Sequence, residues 1–271
     1  MAAGGLAALG TWAVGIEPHW VEFVEREMRF VGLPEALRGK RLMQLSDLHV
    51  GPRVDSRYLI ETLDRAAALN PDIVVVTGDF ITYRYRLGDA QFANVAEVMR
   101  HIPKGRIATL GILGNHDYGR NWNEPSIAHR VQGLAEDAGI RVLRNERIEV
   151  EGLEVAGFDD VWGPRFDVAA ALAGRDTTRP LLTLCHNPDG CDVIEWGDTH
   201  GWVLSGHTHG GQVRPPFLPP LILPVRNRRY AAGEVDLGHG RRVYINRGLG
   251  HLYRVRFNVR PEVTVFGMGE A

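Results

Sequence analysis

Residues 72–79 read Asp-Ile-Val-Val-Val-Thr-Gly-Asp. Four consecutive β-branched residues, apolar in both directions, are the composition of a strand buried on both faces. The run stops at Gly78-Asp79, so an ionisable side chain is delivered at the strand's carboxyl end. The same arrangement recurs on either side. Residues 42–45 form a short apolar run that ends at Ser46-Asp47, and residues 106–113 lead into Gly114-Asn115-His116-Asp117. Residues 181–185 deliver His186, and residues 202–204 precede Ser205-Gly206-His207. Helical periodicity fills the gaps at residues 55–69, with Asp55 or Ser56 as cap, and at 89–100, 125–138 and 167–172. Short strands are expected near residues 141–143, 147–150 and 153–158. Strands alternating with helices predict an α/β fold, in which ligands gather where strands end.

The flanks differ. Residues 19–30 interleave apolar and charged side chains and predict an edge strand with one wet face. Residues 214–230 are proline-rich and apolar, which excludes a helix or a central strand. Beyond them, residues 230–237, 242–246 and 262–266 predict antiparallel strands, the first two joined by the turn Gly238-His239-Gly240. No linker divides the chain, so residues 17–271 are expected to form one domain. Residues 1–16 carry no charged side chain. At about 1.5 Å per residue they span roughly 24 Å, slightly short of a hydrocarbon core of about 30 Å. A marginal anchor or the tail of a longer signal is favoured over a flexible apolar terminus.

Composition narrows the function classes. The 271 residues are 44% hydrophobic and 24% charged, with a formal net charge of −2, which is ordinary for a globular protein and gives no reason to expect nucleic acid. Arginine crowds the last quarter, from Arg214 to Arg260, whereas lysine occurs only at Lys40 and Lys104. That bias suits bidentate phosphate contacts, and equally suits genome composition. Cys185 and Cys191 alone cannot build a disulfide framework or a four-cysteine zinc site.

Asp47-x-His49, Asp79, Asn115-His116, His186 and His207-x-His209 are oxygen and imidazole donors at strand ends. Ligands at i and i+2 of an extended segment leave on one side and can grip one ion. Carboxylate with imidazole and no thiolate suits Mn²⁺, Fe or Zn²⁺ rather than Ca²⁺. A lone Asp-x-His is more often incidental, and Asn-His-Asp can be plain turn chemistry. Five such pieces in order, each at a strand end, are a different matter. The donors are too many for one tetrahedral ion and suit two ions that share a carboxylate.

Ser46-Asp47-Leu48-His49, Gly78-Asp79, Gly114-Asn115-His116-Asp117, His186-Asn187-Pro188 and Gly206-His207-Thr208-His209 resemble the five motifs of the calcineurin-like metallophosphoesterases. The resemblance covers residues 41–210 and implies a four-layer α/β/β/α sandwich. It also implies a site of two divalent metal ions, Mn²⁺ foremost with Fe or Zn²⁺ as alternatives. Asp47, His49, Asp79 and His209 would hold one ion, and Asp79, Asn115, His186 and His207 the other. His116 would contact the phosphate or leaving group, with Asp117 orienting it. Two adjacent cations lower the pKa of bound water and stabilise phosphoryl charge.

Thr82 stands where the protein serine/threonine phosphatases carry a second aspartate and the purple acid phosphatases a tyrosine, which disfavours both. The remaining group, which the chain resembles through Gly15-Ile16-Glu17-Pro18-His19-Trp20, Gly210-Gly211-Gln212 and Arg247-Gly248-Leu249-Gly250, is bacterial and often membrane-tethered. It includes YkuE- and YaeI-like phosphoesterases and a UDP-2,3-diacylglucosamine diphosphatase of lipid A synthesis. The expected substrate is therefore a phosphodiester or diphosphate, such as a lipid-linked one. A soluble phosphomonoesterase is the alternative, and an inactive binding scaffold a distant third. The apolar stretch 215–224 is expected beside the metals, with Arg214, Arg226, Arg228 and Arg229 as substrate contacts, or else as a rigid cover over the sheet. Membrane association is favoured over a cytoplasmic location.

Overall fold

Alternation of side chains explains how the strands are used. The computed structural model describes residues 9–83 and 88–271. In β3 (Ile73–Thr77), Ile73 and Val75 join one apolar cluster while Val74 and Val76 join another. That is the period-2 pattern of a strand covered on both faces. Two six-stranded mixed sheets result. The first runs in the order β1 (Glu22–Phe30), β12 (Glu262–Glu270), β2 (Arg41–Leu45), β3, β4 (Ala108–Ile112), β5 (Arg141–Val142). The second runs β10 (Gly233–Gly238), β11 (Arg241–Ile245), β9 (Gly201–Ser205), β8 (Leu181–Leu184), β7 (Leu153–Gly157), β6 (Glu146–Val150).

Three helices cover the first sheet: α1 (Ser56–Ala67), α2 (Asp89–Arg100) and α3 (Pro125–Asp137). Leu59, Leu63, Val95, Met99, Val131 and Ala135 pack there against Met43, Leu45, Val74 and Val76. Asp55 caps α1, its carboxylate accepting from the Arg57 amide at 2.9 Å. The short α4 (Val168–Leu172) lies on the outer side of the second sheet, where Ala171 joins Leu181, Val203 and Ile245. Between the sheets lie Leu42, Val75, Ile112, Leu182, Leu184, Trp202, Leu204, Tyr244 and Phe266. The layers are therefore α/β/β/α. Buried Gln44 ties the two sheets, donating to Thr77 Oγ1 at 3.1 Å and to the Ser205 carbonyl at 2.9 Å.

One expectation from the sequence needs correction. β12 does not extend the β10–β11 hairpin. It enters the other sheet, parallel to β1 and antiparallel to β2, while β11 pairs parallel with β9. Val263 and Val265 face the helices and Phe266 and Met268 face the second sheet, a pattern that any doubly covered strand satisfies. Alternation assigns faces, not neighbours. β1 is an edge strand, as expected, and among the described residues pairs only with β12.

Among the described residues no helix is long and apolar enough to cross a membrane. Of the apolar N-terminal stretch, residues 1–8 lie outside the described residues, and Trp12–Ile16 form one short π-helical turn.

Phe266 is fully buried between the sheets and meets Tyr244 edge-on at 5.1 Å. Phe266→Ala should cost about 3–5 kcal/mol, read as a lower denaturant midpoint with unchanged m-value.

Candidate metal centre

The strand ends deliver their donors through unusual backbone. Asp47 (φ 51°), His49 (φ 48°), Asp79 (φ 55°), His207 (φ 70°) and His209 (φ 50°) all occupy the left-handed region. Each such residue costs about 1–3 kcal/mol unless its surroundings hold it. The surroundings are tight. A Cβ on Gly78 would lie 2.5 Å from the Gly114 amide nitrogen, and one on Gly206 would lie 1.9 Å from Ser46 Oγ and 2.2 Å from Asp47 Oδ2. Only glycine lets these loops meet.

The seven residues expected as ligands converge, and all are buried. On one side, His49 Nε2 and His209 Nε2 lie 2.9 Å apart, and His209 Nε2 is 3.3 Å from Asp47 Oδ1. On the other, His207 Nδ1 lies 2.9 Å from Asn115 Oδ1 and 3.3 Å from His186 Nε2. Asp79 Oδ2 belongs to both, at 3.4 Å from His49 Nε2 and 3.3 Å from His186 Nε2. Its other oxygen accepts the His116 amide at 2.9 Å, which fixes the carboxylate plane. His116 completes a third close group with His49 and Asp79.

The donor set fits two divalent cations. Ligand bonds of about 2.0–2.2 Å set neighbouring donors roughly 3.0–3.5 Å apart, close to the 2.9–3.7 Å found in this cluster. Outer contacts fix the rings. His186 Nδ1 meets the Thr77 carbonyl at 2.7 Å and His207 Nε2 meets the Pro224 carbonyl at 2.9 Å. A carbonyl only accepts, so the proton belongs on that nitrogen and the inward nitrogen keeps its lone pair. Burial lowers the His207 ring to about 3, with His186 adding to it, and burial lowers the His116 ring to about 4. Both are neutral at pH 7. Against burial, Asp79 holds the His186 ring above its ordinary value, and a cation between them would take that proton's place.

Asp117 departs from expectation. Its oxygens accept the Ile81 amide at 3.1 Å and the Gly114 amide at 2.9 Å, and among the described residues it makes no bond to the His116 ring. It ties the loops after β3 and β4 together instead. Burial, with Asp79 nearby, pushes its carboxyl up to about 7. The four arginines also lie elsewhere. Beside the cluster is a cavity of about 200 Å³ lined by Asp79, Tyr83, Asn115, His116, Trp122, Trp162, His207, His209, Pro224 and Leu252, and none of the four is there. Arg214 lines a separate cleft of about 480 Å³ against β1, while Arg228 and Arg229 donate to the Pro220 and Asp236 carbonyls. All four are exposed residues. Of the proline-rich stretch, Pro224 lines this cavity, whereas Pro220 lines the cleft against β1.

Sequence reading missed the aromatic wall. Trp122 packs on His116 at 5.0 Å between ring centres, Trp162 on His207 at 4.4 Å, and the two tryptophans are 6.1 Å apart. Trp122 ends a short 3-10 turn (Arg120–Trp122) and Trp162 sits in a loop, where no periodicity marks them. The signal to be had was a tryptophan within seven residues of His116 and one just after the pair Asp159-Asp160.

It also missed the brace behind Asp47. The Asp47 carbonyl accepts the Gly250 amide at 2.7 Å, and buried Arg256 donates to the carbonyls of Arg247 (2.9 Å), Gly248 (3.1 Å) and Gly250 (2.7 Å). Glu17 accepts the Val259 amide at 2.6 Å, and the Ala13 carbonyl accepts that of Arg256 at 2.9 Å. The Gly-Ile-Glu-Pro stretch is thus bound to the back of the site. Arg256→Met removes the guanidinium donor from the Arg247 and Gly250 carbonyls, while the Gly248 carbonyl keeps the Glu262 amide at 3.2 Å. It should lose about 1–3 kcal/mol of stability or more, measured by urea unfolding.

Comparison with known proteins agrees with this geometry. The family model described as calcineurin-like phosphoesterase matches residues 40–211. The chain is 29% identical to Phosphodiesterase YaeI of Escherichia coli, covering 92% of this chain and 88% of that protein. It is 30% identical to the metallophosphoesterase YkuE of Bacillus subtilis, covering 98% and 92%. It is 25% identical to the UDP-2,3-diacylglucosamine pyrophosphatase LpxG of Chlamydia muridarum, covering 94% and 91%. Two mixed sheets between helices, a cluster of Asp and His donors at their strand ends, and a match over most of the chain lead to one conclusion: this protein belongs to the calcineurin-like phosphoesterases, metal-dependent hydrolases of phosphoric esters.

Proposed function

We propose that this chain hydrolyses a phosphodiester or diphosphate whose alcohol part is amphiphilic, at a membrane surface. One observation carries the choice of a diester over a monoester. Among the described residues the cavity beside the donor cluster is lined by aromatic, imidazole and carboxylate groups and holds no Arg or Lys side chain. Among the described residues, outside which Arg84 and Arg86 lie, a monoester dianion finds no guanidinium or ammonium for its second charge. A singly charged diester needs none, and a disubstituted diphosphate carries its two charges on separate phosphoryl groups. The relative named as a UDP-2,3-diacylglucosamine pyrophosphatase supports a nucleotide-linked lipid as the substrate class.

In this reading Asp47, His49, Asp79 and His209 would hold one cation, and Asp79, Asn115, His186 and His207 would hold the other. Mn²⁺ is the proposed ion, with Fe or Zn²⁺ as alternatives. When bound, the cations supply Lewis-acid polarisation of the phosphoryl group and a nucleophile at neutral pH. The protein's own groups do the rest. His116 lines the cavity as a neutral ring whose N–H can hydrogen-bond the leaving oxygen and stabilise the negative charge that develops there as the ester bond breaks. Trp122 holds the His116 ring edge, and Trp162 does the same for His207. The two walls exclude water and give the alcohol part an apolar seat. Asp117 is a positioning residue that keeps the His116 loop against the Asp79 loop. Residues 17–271 act as one domain, because β2, β3 and β4 of one sheet and β8 and β9 of the other each contribute donors.

Removal of metal by a chelator should abolish hydrolysis of bis-p-nitrophenyl phosphate, and Mn²⁺ should restore it. Failure of Mn²⁺, Zn²⁺ and Fe alike to restore turnover would sink the metal assignment. His116→Ala should lower kcat by about 10²–10⁴-fold while elemental analysis still finds the metal bound. Mn²⁺-supported release of UMP from the diacylglucosamine nucleotide would establish the lipid substrate. Preference for mononitrophenyl phosphate over the diester would replace this reading with a phosphomonoesterase.

A further inference from the structure

The segment of residues 215–224 reads Pro-Pro-Phe-Leu-Pro-Pro-Leu-Ile-Leu-Pro and contains no polar side chain. In the fold it is a rigid projection. Its base is pinned: Pro220 is buried, its carbonyl accepts from Arg228 at 2.9 Å, and the Pro224 carbonyl accepts from His207 at 2.9 Å. Its tip is open to solvent. Phe217 is 106% exposed, Leu218 55%, Leu221 66% and Ile222 77%. Phe217 also sits at φ 65°, an uncommon conformation for an aromatic residue, which turns the ring away from the body of the protein. Water is a poor solvent for such a tip, and a cluster of large apolar side chains left outside marks an interaction surface.

We propose that this projection is a membrane wedge. Phe217, Leu218, Leu221 and Ile222 enter the acyl boundary of an anionic bilayer, and Arg214, Arg226 and Arg229 meet its headgroups. Charge argues for a bilayer of this kind. Between Asp198 and Glu234 the chain carries four arginines and no carboxylate side chain. Among the described residues none of the four is paired with an acid. Backbone chemistry argues the same way. Prolines have no N–H, so five of ten residues bring no unsatisfied amide donor into an apolar phase. Their fixed φ also means that little chain entropy remains to be lost on insertion. The wedge ends at Pro224, which lines the cavity beside the donor cluster, so docking sets that cavity against the lipid surface. This deepens the function proposed above and rests on it only for the identity of the substrate.

Vesicle sedimentation with the full chain, without substrate, tests the wedge. Wild-type protein should co-sediment with phosphatidylcholine vesicles containing phosphatidylglycerol. The combined Phe217→Ser, Leu218→Ser, Leu221→Ser and Ile222→Ser variant should bind at least about ten-fold more weakly. Its turnover of bis-p-nitrophenyl phosphate in vesicle-free solution should equal wild type, which shows that it is folded. Arg214→Gln and Arg226→Gln should each weaken binding about five-fold and reduce its dependence on phosphatidylglycerol. Equal vesicle binding by wild type and the serine variant overturns the proposal, as does wild-type protein that stays in the supernatant. A wild-type dimer that the serine changes convert to monomer in sedimentation equilibrium would also overturn it, making a second copy of the chain the occupant. Loss of diester turnover in every form would instead count against the proposed function and leave the vesicle result standing.

Discussion

Asp79 offers a single carboxylate oxygen to two groups of imidazoles, and much of the molecule is arranged so that it can. The oxygen sits 3.4 Å from His49 and 3.3 Å from His186 because three loops converge without steric relief. Gly78 and Gly206 permit the approach, and the His116 amide occupies the other carboxylate oxygen. Five donors held at positive φ carry backbone strain that isolated loops would relax. The strain persists because each loop is the direct continuation of a strand buried on both faces. A stiff sheet under each donor is what makes a crowded cluster of lone pairs sustainable.

The periphery serves the same point from behind. Arg256 is a fully buried cation with carbonyl partners rather than a carboxylate, an expensive arrangement unless its geometry is satisfied. Here it holds the turn after Arg247, which in turn holds the backbone of Asp47. Glu17 extends the brace to the N-terminal segment, so a region remote in sequence bears on Asp47 in the donor cluster. At the mouth, His207 is linked through Pro224 to the exposed apolar projection. The site is joined at one end to the sheet core and at the other to a surface unlike the rest of the protein.

Much of this was legible in the chain. Runs such as Ile73-Val74-Val75-Val76 are strands because nothing else buries β-branched residues on two faces, and the donors following them announce a site at the strand ends. Helix α2 was expected at 89–100 and is found as Asp89–Arg100, since apolar spacing and caps are local properties. The donor residues were likewise found by local spacing and motif resemblance, and the fold brings all of them together.

Other features had no local signature. The place of β12 depends on which sheet edge is open when the last strand arrives, and its alternation is blind to that. Trp122 and Trp162 are adjacent only because two loops from different sheets face each other. Asp117 stands beside His116 in sequence yet bonds elsewhere, since a short 3-10 turn points neighbouring side chains apart. The arginines after Pro224 are near the site in the chain and outside it in space. Sequence by itself determined the elements, the donor chemistry and the order of the motifs, because those rest on residue type and short-range spacing. Tertiary structure alone decided sheet partners, the cavity wall and the brace behind Asp47, because those rest on contacts between residues whose separation along the chain carries no energy of its own.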